Sequence, residues 1–487
     1  KAKELLAKSE RKEIRICDQV KVSSEQVWDL SEYPDAVVLR DESYTGGYMF
    51  WIDATGKLTL QNIVFDGGAK YWAKDGEDFV GYMVFNCTSG YVTMNAGTEF
   101  RNILTSKTST ATVGYLNGAH LTINDGVKIH DNVGGYSGAF GCTSSGASEV
   151  VMNGGEIYNN RAIYVATSDS LSSTGSTPAG AFTLAGSSSK GASTLTMNGG
   201  RIYNNTVDEA CRNGAGAIYL ANRANFIMNG GEITGNTGKT AGSILTYGTK
   251  TPPNEIQLRG GSIHDNVATT EPGGEIDLRL YVNLVLENQQ VLDGSIRLQN
   301  NANRLPVQVT KAIEKPLNLV PEKISYRNVL VAGKDYTLTN ADMEKINIVG
   351  GMDEAFQLTL DPEANNIYVG ASVEYGAVIY LGVAGNDYND GLTPDTAVAT
   401  FAKAKELLAK NAVADKDNVI SVLAGTNDNS LHVTTDQTWS LKGIPNAYLQ
   451  VAEGTKGYLA YVIGATLTLE DITIDGNGLY NEGMATT

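Results

Sequence analysis

Catalysis and ligand binding need ionisable, nucleophilic or aromatic groups at workable spacing, and in this chain such groups are few and regularly placed. Histidine occurs only at His120, His130, His264 and His432, each apart from any cysteine or aspartate cluster of metal-ligand spacing. His130 and His264 share one repeated position with Tyr158, Tyr203 and Thr234, each following an isoleucine (Ile129, Ile157, Ile202, Ile233, Ile263). If the isoleucines point inward, this set forms an outward column, with Tyr158 and Tyr203 on neighbouring turns of the chain. Ring faces presented that way suit sugar stacking, with nearby hydroxyl and amide groups for the sugar's own hydroxyls. Tyrosine also sits on exposed strands for its β-propensity alone. Cross-strand packing and glycan binding therefore both stand for Tyr158, Tyr203, His130 and His264. Asp387, Asn389 and Asp390 have part of the composition of a calcium loop, but their spacing departs from Asp-x-Asn-x-Asp-Gly, and turn capping competes. Asp66, Asp471 and Asp475 stand at corners where aspartate commonly caps a turn. No residue is assigned a catalytic role.

The elements that must position these groups repeat. Five segments read alike, beginning at Leu121, Val151, Leu195, Phe226 and Ile256. Their central residues Asn124, Asn153, Asn198, Asn229 and Arg259 lie 29, 45, 31 and 30 apart. Apolar-x-apolar triplets followed by Asn-Gly corners predict short strands with one buried face. Leu121, Val150, Leu195, Phe226 and Ile256 form one column, and Ile123, Met152, Met197, Met228 and Leu258 the next. A third strand is marked by Gly138-Ala-Phe140, Gly180-Ala-Phe182, Gly216-Ala-Ile218, Gly242-Ser-Ile244 and Gly274-Glu-Ile276. A period near thirty means that each unit buries its apolar side only against its neighbours. Asn124, Asn153, Asn198 and Asn229 share one corner, and Asn132, Asn160, Asn205, Asn236 and Asn266 another. Both sets are expected to be structural amide ladders. Insertions at 161–179 and 185–193 break the regularity and are the expected flanks of any ligand face.

On these Gly-Gly-x-Ile-x-x-Asn repeats the chain resembles the pectate-lyase-like superfamily, and more narrowly the β-helix modules of large secreted and cell-surface proteins of anaerobic gut-type bacteria. The resemblance covers roughly 1–305 and 378–487. It implies an all-β fold, a right-handed parallel β-helix with three short strands per coil. A short capping helix and a β-rich cap or linker segment go with it, repeated in tandem. It implies no activity. Lyases of that superfamily cluster calcium-binding aspartates with an arginine base. Its polygalacturonases carry Asn-Thr-Asp, Asp-Asp, Gly-His-Gly and Arg-x-Lys, and its epimerases Asp-Pro-His-Asp. None of these strings occurs here.

A longer repeat overlies the short one. Lys1–Lys8 recurs as Lys403–Lys410, Gln26-Val-Trp28 as Gln437-Thr-Trp439, and Leu58–Gly67 as Leu467–Gly476, at offsets of 402, 411 and 409. Three parts are expected: a β-helix over 1–303 with a capping helix at its start, a β-rich cap or linker at 304–372, and at 373–487 the entrance loop, capping helix and first coils of a second module. Phe356–Leu360 and Asn366–Val369 read as a hairpin. Thr400 reads as the N-cap of a helix burying Phe401, Ala404, Leu407 and Leu408. With 54 Gly against 11 Pro, the composition suits a turn-dense fold. A net charge of −17 without a basic patch argues against nucleic acid and anionic membranes as partners. Cys142 stands in an inward column and is expected as a buried free thiol. Together these features favour a non-enzymatic stalk or adhesin of a bacterial cell surface or extracellular fibre. The expected partners are host, plant or mucin glycans, host-surface proteins, and further copies of the module in the same chain. No cofactor is expected beyond the calcium candidate. A carbohydrate-active enzyme and a subunit of a multi-chain filament are the alternatives.

Overall fold

Strands of three to five residues cannot stand alone. They persist here because each pairs with its counterpart one turn earlier and one turn later. The computed structural model describes the chain except residues 1, 45, 69–82, 106–110, 165–176, 271–272, 300–302, 326, 354–355, 372–375, 424–430, 453–458 and 477–487. The chain is all-β with a few short helices, in two compact units. The first comprises 1–323, 330–351 and 362–366, and the second the rest.

Parallel sheets build the first unit. One has ten strands, from Glu13–Ile16 to Leu292–Asp293. A second has twelve, from Val20–Val22 to Ile346–Ile348. A third starts at Glu25–Asp29 and continues to Val329–Gly333. The chain visits the three in a fixed order, turn after turn, as far as Leu292–Asp293. Short strands that sequence reasoning did not anticipate (Val133–Gly134, Arg161–Ala162, Thr206–Val207, Thr237–Gly238, Val267–Ala268) pair in a small sheet of their own. Each directly follows a ladder asparagine, buried in the first four cases and partly buried at Asn266.

The registers match the columns. Leu121 pairs with Val150, and the series continues through Leu195, Phe226 and Ile256. Ile129, Ile157, Ile202, Ile233 and Ile263 stack one on the next, fully buried. Phe140, Phe182, Ile218, Ile244 and Ile276 do the same in the second sheet. Each such side chain withdrawn from water contributes about 1.5–3 kcal/mol. Gly155, Gly200, Gly231 and Gly261, the second glycines of their corners, have φ of 80°, 81°, 91° and 88°, which a side chain rarely adopts. Gly138 and Gly180 are needed for a different reason. A Cβ on either would collide with the carbonyl oxygen of the equivalent glycine one turn on.

Parallel pairing runs on past Asn303, where the sequence pattern fades. Val307–Val309 pairs with Val282–Leu286, and Leu317–Pro321 with Ser295–Leu298. Val329–Gly333 and Ile346–Ile348 add further strands. The strands of 304–348 thus extend the second and third sheets, while the first has no described strand after Leu292–Asp293. The Gly-Gly corner is already lost after Gly260-Gly261, where Glu287-Asn288 and then Thr310-Lys311 follow the strands, and the pairing continues without it. Phe356–Asp361 and Asn366–Ala371 are hydrogen-bonded neighbours, as the hairpin reading expects.

In the second unit Val378–Gly382, Asn418–Leu423, Ala447–Val451 and Thr473–Asp475 form a parallel sheet. The Phe401–Asn411 helix packs on it through Phe401, Ala404 and Leu408, with the Thr400 side chain accepting the Lys403 N–H as N-cap. Strand pairing here reproduces that near the N-terminus. Gln26 pairs with Leu58 and Trp28 with Leu60; Gln437 pairs with Leu467 and Trp439 with Leu469. Both indoles donate from Nε1 to the glutamine two residues back, at 3.0 Å in each case. Among the described residues no helix is long and apolar enough to cross a membrane.

Candidate functional site

The inward isoleucines of the first sheet force their neighbours outward. Arg101, His130, Tyr158, Tyr203, Thr234 and His264 consequently stand in register on successive strands. His130 stacks on Tyr158 with ring centroids 4.7 Å apart and 6° between planes, and Tyr158 on Tyr203 at 4.9 Å and 9°. The Arg201 guanidinium lies 4.6 Å from the centre of the Tyr203 ring. Both faces of Tyr158 are therefore covered by neighbouring rings, and burial pushes its hydroxyl up to about 12. The expected sugar-stacking faces are spent along the column, which leaves ring edges toward solvent.

The ionic groups on this face behave alike. Arg101 bridges Asp66 at 2.9 Å and Glu99 at 2.8 Å. Each histidine is held between two carboxylates in the same way. His130 meets Glu99 of the preceding turn through Nε2 at 3.2 Å and Asp131 through Nδ1 at 2.7 Å. His264 meets Glu232 through Nε2 at 3.0 Å and Asp265 through Nδ1 at 2.8 Å. Arg201 also reaches Glu232, at 2.5 Å. The Asp265 hydrogen bond is the main cause that raises the His264 imidazole above its ordinary value. Burial pushes Glu232 up, but hydrogen bonds from Arg201 and His264 outweigh it and leave its carboxyl lowered.

Both asparagine sets hydrogen-bond from turn to turn. At the exposed corner Asn124 donates to Asn95, Asn153 to Asn124, Asn198 to Asn153 and Asn229 to Asn198, at 2.8–2.9 Å. The second set runs the other way and is sealed. Asn132, Asn160, Asn205 and Asn236 are fully buried, each Nδ2 donating to the next Oδ1 along the series to Asn266, at 2.8–2.9 Å. Each Oδ1 also accepts a backbone N–H from the turn before, as Asn205 does from Asn160 at 3.0 Å.

A charged cluster on the second sheet escaped sequence reasoning. Asp277 is fully buried, and one of its oxygens receives Arg279 at 3.0 Å and Arg297 at 2.8 Å. Arg297 also bridges Glu322 at 3.0 Å. Burial raises the Asp277 carboxyl, and the two guanidiniums pull it back. Among the described residues, Asp277 Oδ1 and Arg297 Nε have no hydrogen-bond partner. In the sequence, Asp277 and Arg297 are twenty residues apart, and only the parallel register brings them face to face. An enzymatic reading looks for outward Asp, Arg and Lys on consecutive coils; here an aspartate and arginines of adjacent strands meet, with the carboxylate sealed from solvent.

The calcium candidates serve the loop that carries them. Asp387 accepts from Ala399 N–H and Thr400 N–H, both at 2.9 Å, and from the Thr400 hydroxyl at 2.7 Å. It fastens the entrance loop to the helix N-cap. Asn389 donates to the Ala397 carbonyl at 2.9 Å, and Asp390 accepts from Leu392 N–H at 3.2 Å. Among the described residues no three His, Cys, Asp or Glu side chains gather as a metal site.

Of the two expected flanking loops, only the second is described throughout. Residues 165–176 of the first lie outside the described residues. The second, 185–193, links the Phe182–Leu184 strand of the second sheet to Ser193–Met197 of the third, whereas Tyr158 and Tyr203 are on the first. All four cysteines are free thiols, and burial pushes Cys87 and Cys142 up to about 12. Comparison of the chain with protein-family models, curated proteins and solved structures finds no match.

Proposed function

We propose that the chain is a non-enzymatic structural segment, a stalk or adhesin built of tandem β-helix modules on a bacterial cell surface or in an extracellular fibre. One observation carries the reading. From Asp66 to Asp265 the outward aromatic and ionic side chains of the first sheet are engaged mainly with the turns above and below them. A face built that way holds turns together, and a ligand would have to displace those contacts. Parallel sheets in register, visited in fixed order, support a right-handed parallel β-helix as the module. The matching pairings of Trp28 and Trp439 support a second copy beginning after residue 378. Duplicating a module adds length and multiplies weak contacts, whether to glycans, to host-surface proteins or to other copies.

The alternative, a carbohydrate-active enzyme, is favoured by the Asp277, Arg279 and Arg297 cluster alone. Incubating the purified chain with plant and mucin glycans, and reading reducing ends and unsaturated products, separates the two. The structural reading expects no turnover. Turnover that disappears in Asp277→Asn would replace it with the enzymatic one.

A further inference from the structure

The buried asparagine ladder needs an acceptor where it stops. Its final member, Asn266, donates from its backbone N–H to Glu275 Oε1 at 3.0 Å and from Nδ2 to Glu275 Oε2 at 2.8 Å. Glu275 stands where the preceding turns have Ala139, Ala181, Ala217 and Ser243, all fully buried. A carboxyl group, 6% exposed, thus replaces a small side chain in a sealed column. Gly294 makes room for it, since a Cβ there would collide with Glu275 Cγ. Among the described residues the charged groups that act on it are His264, which lowers its carboxyl, and Asp265, which raises it, while Arg297 of the next strand is engaged with Asp277 and Glu322. From the other packed strand, Ser243 contributes only a hydroxyl, donating to the Glu275 carbonyl. His264, on the same turn, faces Asp265 and Glu232, with Arg201 behind Glu232, and Asp293 is its register partner on the next strand.

We propose that Glu275 and His264 form a proton-responsive closure at the C-terminal end of the buried ladder, tightening as pH falls through the neutral range and loosening as it rises. Burial makes the Glu275 carboxyl costly as an anion, and the charge of His264 offsets that only in part, whereas an imidazole between two carboxylates is favourable as a cation. Both groups therefore hold a proton more firmly folded than unfolded. Burial drives Glu275 up from 4.5 to about 7, against the pull of the Asn266 hydrogen bonds, and Asp265 raises His264. For Glu275, stability is greatest below about 4.5 and falls as pH rises toward 7. For His264, the contribution is full below 6.5 and is lost as pH rises through its higher folded value. The two act in the same direction. Asn266 Nδ2 keeps the Ile233 and His264 carbonyls at 3.0 and 2.9 Å as alternative acceptors, so protonation of Glu275 does not strand it. Next to this end Asp265 and Val267 are exposed, while Asn236 and the earlier members are sealed, so protons reach the ladder here.

Hydrogen exchange of the whole chain between pH 5 and 8, corrected for intrinsic rates, tests the proposal. Opening of residues 262–278 should rise on the order of a hundred-fold across that range. Residues 128–134, with a matching histidine clasp but no ladder-end carboxyl, should rise much less. Glu275→Gln should remove most of the slope and His264→Gln the remainder. A flat profile at 262–278, or an unchanged slope in Glu275→Gln, would overturn the idea. If that variant does not fold, the carboxyl carbon resonance of Glu275 in the unaltered chain decides. A midpoint near 7 supports the closure and one near 4.5 refutes it.

Discussion

Removing one rung from each asparagine ladder should have very different consequences. The Asn205 side chain makes four hydrogen bonds, none reached by water. It donates to the Ile157 carbonyl and to Asn236 Oδ1, both at 2.9 Å, and accepts from Asn160 N–H at 3.0 Å and Asn160 Nδ2 at 2.9 Å. In Asn205→Ala the Asn160 N–H loses its partner outright, at a cost of about 1–3 kcal/mol. Three other groups each lose one bond. Asn236 Oδ1 keeps the Asn205 N–H, and Asn160 Nδ2 keeps the Ile129 carbonyl. Each of these adds about 0.5–1.5 kcal/mol, giving roughly 2.5–7.5 kcal/mol in all. Asn198→Ala removes two bonds at the exposed corner, where water substitutes, and should cost about 1 kcal/mol or less. Hydrogen exchange across residues 157–163 and 202–207 reads the difference. Opening should increase a hundred-fold or more in Asn205→Ala and less than about ten-fold in Asn198→Ala. Equal effects, or a silent Asn205→Ala, would refute the assignment of stability to the sealed ladder.

Asp277→Ala leaves Arg279 and Arg297 buried without their shared carboxylate, and should destabilise the second sheet locally by about 3–5 kcal/mol, read by denaturant unfolding. Gly180→Ala sets a Cβ against the Gly216 carbonyl oxygen and should abolish soluble expression or shift the unfolding midpoint strongly downward. Asp387→Ala releases three donors at the entrance of the Phe401–Asn411 helix and should cost about 1–2 kcal/mol, and added calcium should leave the unaltered chain's melting curve where it is.

The columns were legible because their period is short and each strand has one buried face. Leu121 to Ile256 and Ile129 to Ile263 could be aligned from the Asn-Gly corners alone, and the registers agree. The two-residue strands that follow Asn132 and its equivalents were not legible, because two residues carry no periodicity. The strands after 303 were expected only as a β-rich cap or linker, because Glu287-Asn288-Gln289 and Thr310-Lys311-Ala312 stand where the earlier corners have Asn-Gly-Gly and leave nothing to align. The ring stacking at Tyr158 was half visible. The sequence puts the tyrosines on one face, but only the side-chain geometry shows that they cover each other. The Asp277 cluster needed the parallel register to appear. Glu275 carried a signal that can be read in retrospect, as the one carboxylate in a column of alanine and serine.

The most direct test of the account is the double change Tyr158→Ala and Tyr203→Ala, followed by glycan-array binding and thermal unfolding of the same preparations. Three contacts go with the two rings: His130 on Tyr158, Tyr158 on Tyr203, and Arg201 over Tyr203. With the buried area they are worth about 2–4 kcal/mol. The account expects a lower melting temperature and no glycan signal on these rings before or after the change. Glycan binding by the unaltered chain that vanishes in the double variant, with melting unmoved, would contradict it.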